Sequence, residues 1–258
     1  MNASPISVAL TPAAPISIEG CTVVAVDILR ATTAICAAFQ AGAEEIVPLD
    51  TLEALEGYRG KGYLLAAERG GKKIGDAHYG NSPTEYLRHD LHGQRLAYST
   101  TNGTRCILRG AAADATLVGA FANITALTER LLNNVSRTPT PLVIICSGWE
   151  GNFCVEDTLF AGALIERLLD SGRYSTTNDA ARMALDLWHL GKDDPYAYCL
   201  PRAYHIQRLD SFGAHDDVLF AFRRDTCPVV PFLKEGALKV KTSNTSSASR
   251  TSHTRDNA

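Results

Sequence analysis

Asp27, Arg30, Thr32 and Thr33 fall within the short string Asp27-Ile28-Leu29-Arg30-Ala31-Thr32-Thr33. A carboxylate can hold a hard cation, and a guanidinium with nearby hydroxyls can hold a phosphoryl group. The same chemistry recurs along the chain. Glu68-Arg69-Gly70-Gly71 sets an acid beside an arginine, and Gly80-Asn81-Ser82-Pro83 offers an amide and a hydroxyl. Thr100-Thr101-Asn102-Gly103-Thr104-Arg105 combines hydroxyls, a glycine that permits close backbone approach, and an arginine. Asn123 and the acidic pair Glu156-Asp157 complete the set.

Each string also has an architectural explanation. Asp27 fits a helix N-cap, and Asn102-Gly103 fits a tight turn. Ser82-Pro83-Thr84-Glu85 fits a capping box, with Pro83 as first helical residue. Glu156-Asp157 suits the positive end of a helix dipole. His205 and His215 fit a core rim or surface. The chemical reading gains its weight from where the strings lie relative to the elements around them.

Those elements alternate in type. Val23–Val26, Ile46–Leu49, Tyr63–Ala67, Arg95–Ser99, Thr116–Gly119 and Leu142–Cys146 read as short apolar strands. Helical patterns separate them: Ile28–Ala41, Leu52–Tyr58, a segment opening at Ser82, Cys106–Ala113, and Ile124–Leu132 capped by Asn123. A further helix is expected over Val155–Leu169. The alternation predicts an α/β fold, three-layer α/β/α around a mixed, largely parallel sheet, with a more helical C-terminal part beyond Gly172. There Asn178 caps a helix over Asp179–Leu190, and Asp217–Ala221 and Val229–Pro231 are short closing segments. Residues 1–240 are expected to form one domain, with Asn133–Pro141 as a polar surface loop. The Ser-, Thr- and Asn-rich residues 241–258 are expected to form a disordered tail. Ligands of open α/β sheets bind beyond the carboxyl ends of the strands. Asp27, Glu68, Thr100–Arg105, Asn123 and Glu156-Asp157 all follow such ends.

Composition narrows the function classes. A net charge of −3 argues against general nucleic-acid binding, while a few local arginines suffice for a small anion. No run of about 20 apolar residues is present, so no spanning helix is expected. Residues 1–17 lack a basic segment and a continuous apolar core, which argues against a secretory signal. The 7 cysteines include no CxxC pair and mostly sit in apolar segments, the pattern of reduced core thiols in a cytoplasmic protein. Cys146 and Cys154 are the two beside a candidate site loop. The 7 histidines make no HExxH spacing, so zinc is not expected. GxGxxG, GxxxxGK[ST] and GxSxG signatures are missing, which lowers the dinucleotide, P-loop and serine-hydrolase readings.

The strings resemble, in order, those of the 2-phosphosulfolactate phosphatase family. Val26 to Thr32, Glu68 to Gly71, Gly80 to Pro83 and Thr100 to Arg105 carry the likeness. Gly119 to Asn123, Glu156-Asp157 and His205…Leu209…Gly213…Asp217 extend it, over roughly residues 20–232. The resemblance implies a Mg²⁺-dependent phosphatase that converts 2-phosphosulfolactate to 3-sulfolactate and phosphate, a step of coenzyme M biosynthesis in some organisms. In that reading Asp27, Glu68 and Asp157 supply metal ligands, with Asp27 either ligand or nucleophile. Arg30 and Arg105 join Asp27 as catalytic groups. Thr32, Thr33, Asn81, Ser82 and the turn Thr100, Thr101, Asn102, Gly103 and Thr104 bind phosphate. Arg69 and Asn123 take the carboxylate or sulfonate. The expected partner is thus a small anionic phosphorylated substrate, and a homodimer is the prior for such an enzyme. Two departures stand out: Asp76-Ala77-His78-Tyr79 replaces the family's more acidic, aromatic-containing run, and Ala120 stands where a serine is usual. They leave open a phosphatase of another small phosphorylated hydroxy acid, or a phosphometabolite-binding protein without turnover.

Overall fold

The computed structural model describes residues 3–133 and 140–241. Most of the expected 133–141 loop and nearly all of the 241–258 tail therefore lie outside the described residues. Eleven strands form one sheet. They are β1 (Ser4–Ala9), β2 (Thr22–Val26), β3 (Glu45–Pro48), β4 (Tyr63–Arg69), β5 (Lys72–Lys73) and β6 (Arg95–Ser99). The others are β7 (Ala115–Gly119), β8 (Leu142–Cys146), β9 (Tyr174–Thr176), β10 (Phe232–Lys234) and β11 (Ala237–Lys239). The order is β5-β4-β6-β3-β11-β10-β7-β2-β8-β1-β9. β4, β6 and β3 pair in parallel, as do β7, β2, β8, β1 and β9. Between these halves lies the antiparallel hairpin β10–β11, bridged to β7 at Phe232–Leu117 and to β3 at Leu238–Ile46.

The helices are α1 (Ala31–Gln40), α2 (Leu52–Glu56), α3 (Pro83–Tyr86), α4 (Gly103–Arg109) and α5 (Ile124–Asn133). They continue with α6 (Val155–Asp170), α7 (Asp179–Gly191), α8 (Pro195–Cys199), α9 (Tyr204–Asp210) and α10 (His215–Ala221). The α/β architecture with a mixed, mostly parallel sheet is the one the alternation predicts. Central strands β2 and β8 are buried almost throughout, which explains why Val23–Val26 and Leu142–Cys146 are continuous apolar runs rather than alternating ones. In β4 and β6 alternate residues divide between two cores. Ala66, Leu96 and Tyr98 join the main one, whereas Leu65, Ala67 and Ala97 pack with Leu55 of α2. α1 is buried on every side except Gln40, so a charge-free sequence is what that position requires.

Three expectations shift. The helix predicted from Ile28 begins at Ala31, because Asp27 to Arg30 form a tight turn held by Thr32. β1 was not anticipated, although Ser4 to Ala9 alternate between buried and half-buried positions, the period of a strand. Of the closing segments expected at Asp217–Ala221 and Val229–Pro231, the first lies in helix α10, and the closing strands β10 and β11 lie just beyond the second, around the Glu235-Gly236 turn. Both residues of that turn have φ > 0, 52° and 80°, which a two-residue hairpin of this hand requires. Asn178 caps α7 as predicted, accepting from the Ala181 N–H at 2.9 Å, and also clasps both backbone groups of Val8. Among the described residues no helix is long and apolar enough to cross a membrane.

Candidate active site

The carboxyl ends of β2, β4 and β6 meet in one place, although β2 belongs to one half of the sheet and β4 and β6 to the other. The result is a cleft enclosing about 320 Å³, counted to its open mouth. Asp27, Arg30, Glu68, Asn81, Thr101 and Asn102 line it from strand-end turns, as do Gly70 and Gly71. Trp149, from the turn after β8, and His205, Arg208 and Leu209 of α9 close it.

Asp27 is 8% exposed. Its Oδ1 accepts from the Ala31 N–H at 3.2 Å and its Oδ2 from the Ser147 hydroxyl at 3.1 Å. Burial pushes its carboxyl up to about 6, against the opposing pull of His205, the Ala31 N–H and Ser147. Two neighbours set its position. The Thr32 hydroxyl accepts from the Asp27 N–H at 2.9 Å and donates to the Asp27 carbonyl at 2.8 Å. On the other side, a Cβ at position 103 would lie 2.7 Å from Asp27 Oδ2 and 2.3 Å from the Ala31 Cβ. Only glycine lets the start of α4 sit this close to the carboxylate.

Glu68, at the end of β4, is 6% exposed. It accepts from the Gly71 N–H, from the Thr101 hydroxyl at 3.1 Å and from the Thr101 N–H at 3.4 Å. The glycine pair lets the chain double back over it, at φ 61° and 84°. Arg30 is 6% exposed and donates to Asp217 Oδ2 at 2.7 Å and to the Gly71 carbonyl at 2.6 Å. Asp217 is itself fixed by the Ser82 and Thr84 hydroxyls, at 2.7 and 2.6 Å. Of the five N–H donors on Arg30, those not engaged there remain for a ligand. Arg208 donates to the Gly70 carbonyl at 2.6 Å, and its guanidinium lies 5.2 Å from the Trp149 ring centroid and 5.8 Å from that of Phe212. Asn81 accepts from the Tyr98 hydroxyl, which aims its amide along the cleft wall.

Several residues predicted to bind ligand are engaged elsewhere. Thr32 and Thr33 are fully buried, and the Thr33 hydroxyl donates to the Ile28 carbonyl at 2.9 Å, so both brace the Asp27 turn. Thr100 and Thr104 bond each other's turn at 3.2 Å. The Ser82 hydroxyl caps α3, accepting from the Glu85 N–H, and supports Asp217. Asn123 lies outside the cleft, fully buried, with its amide spent on the Ala120 N–H and the Val118 and Val229 carbonyls. It belongs to the 3-10 turn Phe121–Asn123 and fastens the end of β7 to the segment before β10. Asp157 sits behind Asp27, each oxygen accepting a backbone N–H, from Ile28 at 2.8 Å and Gly148 at 3.1 Å. Burial and the nearby Asp27 and Glu156 charges hold its carboxyl well above the usual range. Arg69 is half-buried, donating to the Glu68 carbonyl and to Ser99 Oγ, and Arg105 is exposed outside the cleft lining. The Cys146 and Cys154 thiols are pushed up by burial and by the Asp157 and Glu156 charges, the reverse of what a nucleophilic thiolate needs.

The oxygen donors facing the cleft, Asp27 and Glu68, fit a hard divalent cation: both are buried, and among the described residues no side-chain cation is bonded to either. A second group, Cys154, Glu156 and His205, brings mixed metal-ligand types within 4.8 Å of one another.

This constellation can be compared with known proteins. A family profile described as 2-phosphosulpholactate phosphatase matches residues 8–236, nearly the whole described chain. The chain belongs to this family. Among curated members, a probable 2-phosphosulfolactate phosphatase of Parasynechococcus marenigrum is 40% identical over 199 residues, 75% of this chain and 81% of the relative. One from Symbiobacterium thermophilum is 35% identical over 223 residues, covering 85% and 94%. A third, from Caldanaerobacter subterraneus, is 31% identical over 221 residues, covering 84% and 89%. The match to the 2-phosphosulfolactate phosphatase family runs through α9 and α10, whose residues are not among the expected ligand-binding groups. Trp149 and Arg208 were missed, whereas His205, Leu209 and Asp217 entered through the family pattern without an assigned role in the site. The signal for α9 was its His205–Arg208 spacing, which puts both on one helical face.

Proposed function

We propose that this chain is a Mg²⁺-dependent phosphatase that hydrolyses the phosphate monoester of 2-phosphosulfolactate to 3-sulfolactate and phosphate. The observation that carries the reading is the cleft itself, where a buried carboxylate pair, Asp27 and Glu68, shares one wall-to-wall space with two tethered arginines, Arg30 and Arg208. Asp27 and Glu68 would hold Mg²⁺, which when bound neutralises phosphoryl oxygens. The substrate carries phosphate, carboxylate and sulfonate, so it needs several fixed donors as well. Arg30 is locked by Asp217 and the Gly71 carbonyl and meets the phosphoryl charge with little reorganisation. Arg208, oriented by Gly70 and by the Trp149 and Phe212 rings, faces it from α9 and suits the carboxylate or sulfonate. Asn102 and Asn81 add neutral donors, and Arg69 and Arg105 add positive potential at the rim. Such an enzyme is expected in the cytoplasm.

The two departures from the family pattern lie away from the cleft lining. Asp76 pairs with Arg59 at 2.9 Å, His78 accepts from the Leu65 N–H, Tyr79 stacks on Tyr86, and Ala120 is fully buried. This supports the sulfonated substrate over another phosphorylated hydroxy acid. The test is phosphate release from 2-phosphosulfolactate and from phosphoesters lacking the sulfonate, in Mg²⁺ and after chelation with Mg²⁺ add-back. Strong preference for the sulfonated ester is expected; equal rates across the panel would sink the narrow assignment, and binding without release would make the chain a sensor. Inversion at phosphorus in an isotopically chiral thiophosphate ester would assign attack to water and Asp27 to the metal, whereas a trapped phosphoryl-Asp27 would make it the nucleophile.

A further inference from the structure

Cys154 and Glu156 do not line the catalytic cleft described above, whereas His205 stands at its wall. The three residues come from two elements, the start of α6 and the start of α9, and their sulfur, oxygen and nitrogen atoms all lie within 4.8 Å of one another. Glu156 is 1% exposed. No hydrogen-bond donor among the described residues reaches its carboxylate, and His205 Nδ1 stands 3.6 Å away. A carboxylate this deep normally has donors around it. Here it points instead at an imidazole and a free thiol.

We propose that Cys154, Glu156 and His205 form a site for a borderline-soft divalent cation, Zn²⁺ by preference, distinct from the oxygen-donor pair Asp27 and Glu68. Thiolate and imidazole select zinc over magnesium, which keeps to oxygen ligands. One thiolate, one carboxylate and one neutral imidazole balance the charge of a divalent ion. The three residues line a second pocket with Trp149, Phe153 and Arg202, and Phe153 is 56% exposed at its edge. That pocket gives the ion an entry path and leaves its fourth position to water. His205 also lines the catalytic cleft, so an occupied site ties the cleft wall to α6. No HExxH spacing signals this site, because its ligands are 49 residues apart between Glu156 and His205 and are joined only by the fold.

The test uses the full chain, stripped of metal and held in excess Mg²⁺, titrated with Co²⁺. One equivalent should produce a thiolate-to-cobalt charge-transfer band and the intense visible absorption of a tetrahedral ion, and one equivalent of Zn²⁺ should abolish both. Cys154→Ser should remove the charge-transfer band, and Glu156→Gln should weaken Co²⁺ binding at least about tenfold. Wild-type protein without the band, or a band of equal intensity in Cys154→Ser, overturns the proposal. Should Cys154→Ser fail to fold, unchanged Co²⁺ affinity in Glu156→Gln overturns it instead. Neither readout depends on turnover, so the result is independent of the phosphatase assignment.

Discussion

Asp27 sits in a place that disfavours its charge. Its carboxyl is pushed up to about 6 by burial, from 3.8. A folded-state value above the unfolded one means that ionisation opposes folding. The penalty is absent below about pH 4, grows as pH rises, and is complete above about pH 6. Asp27→Asn should therefore stabilise the metal-free protein by about 3 kcal/mol at pH 7–8, with the advantage gone near pH 4, while abolishing Mg²⁺-dependent phosphate release. Thermal melts across pH, paired with the phosphate assay, check both halves. Arg208→Ala should lower kcat/KM by about 10–100-fold, the range for one charge-assisted contact, and Arg105→Ala should have a much smaller effect. Equal losses would return Arg105 to the site. Asp27 and Glu68 were legible in the sequence as polar residues at the ends of apolar strands, and Asn81 as the residue before the Ser82 cap of α3. Thr32, Thr33, Thr104 and Asn123 looked the same but face backbone rather than ligand. Residue type cannot tell those two orientations apart.

At the scale of elements, two close approaches hold the fold together, and the site rests on the first. The first brings α4 against the Asp27 turn across Gly103. Gly103→Ala puts a methyl within 2.3 Å of the Ala31 Cβ and 2.7 Å of Asp27 Oδ2. A loss of about 1–3 kcal/mol is expected, with kcat falling further than stability explains, measured by denaturant titration beside single-turnover kinetics. The second is the clasp of Asn123 between β7 and the chain before β10. Asn123→Ala should destabilise by about 1–3 kcal/mol through the buried N–H and carbonyls it strands, yet leave kcat/KM of the folded fraction unchanged. A raised KM would restore its binding role. Most strands and helices were readable from period and caps: Asn178 and Ser82 act as predicted. The start of α1 was not, because Ile28 and Leu29 continue an apolar pattern while their backbone turns to serve Asp27. The placement of α9 over the cleft was hidden for another reason. It is fixed by tertiary contacts such as Arg208 to Gly70, 138 residues apart, and no local pattern encodes them.

Across the whole molecule, the reacting groups are drawn from both halves of the sheet and from the helical C-terminal part, and Arg30 reaches its partner Asp217 over 187 residues. Within the sheet of the described residues the two halves are joined through β10 and β11, whose bridges to β7 and β3 hold the Asp27 side of the cleft to the Glu68 side. A chain ended after Pro231 should consequently lose its cooperative unfolding transition and its activity together, as followed by calorimetry and phosphate release. A chain that instead melts normally without the hairpin would show that the halves hold each other unaided. The hairpin also has a meaning in time. During synthesis every strand that carries a site residue leaves the ribosome before the two strands that seal the seam, so β3 and β7 wait as open edges. Open edges of this kind invite pairing with other chains, and slow non-local closure prolongs their exposure. The growing chain is thus most vulnerable to aggregation just before the β10–β11 hairpin emerges.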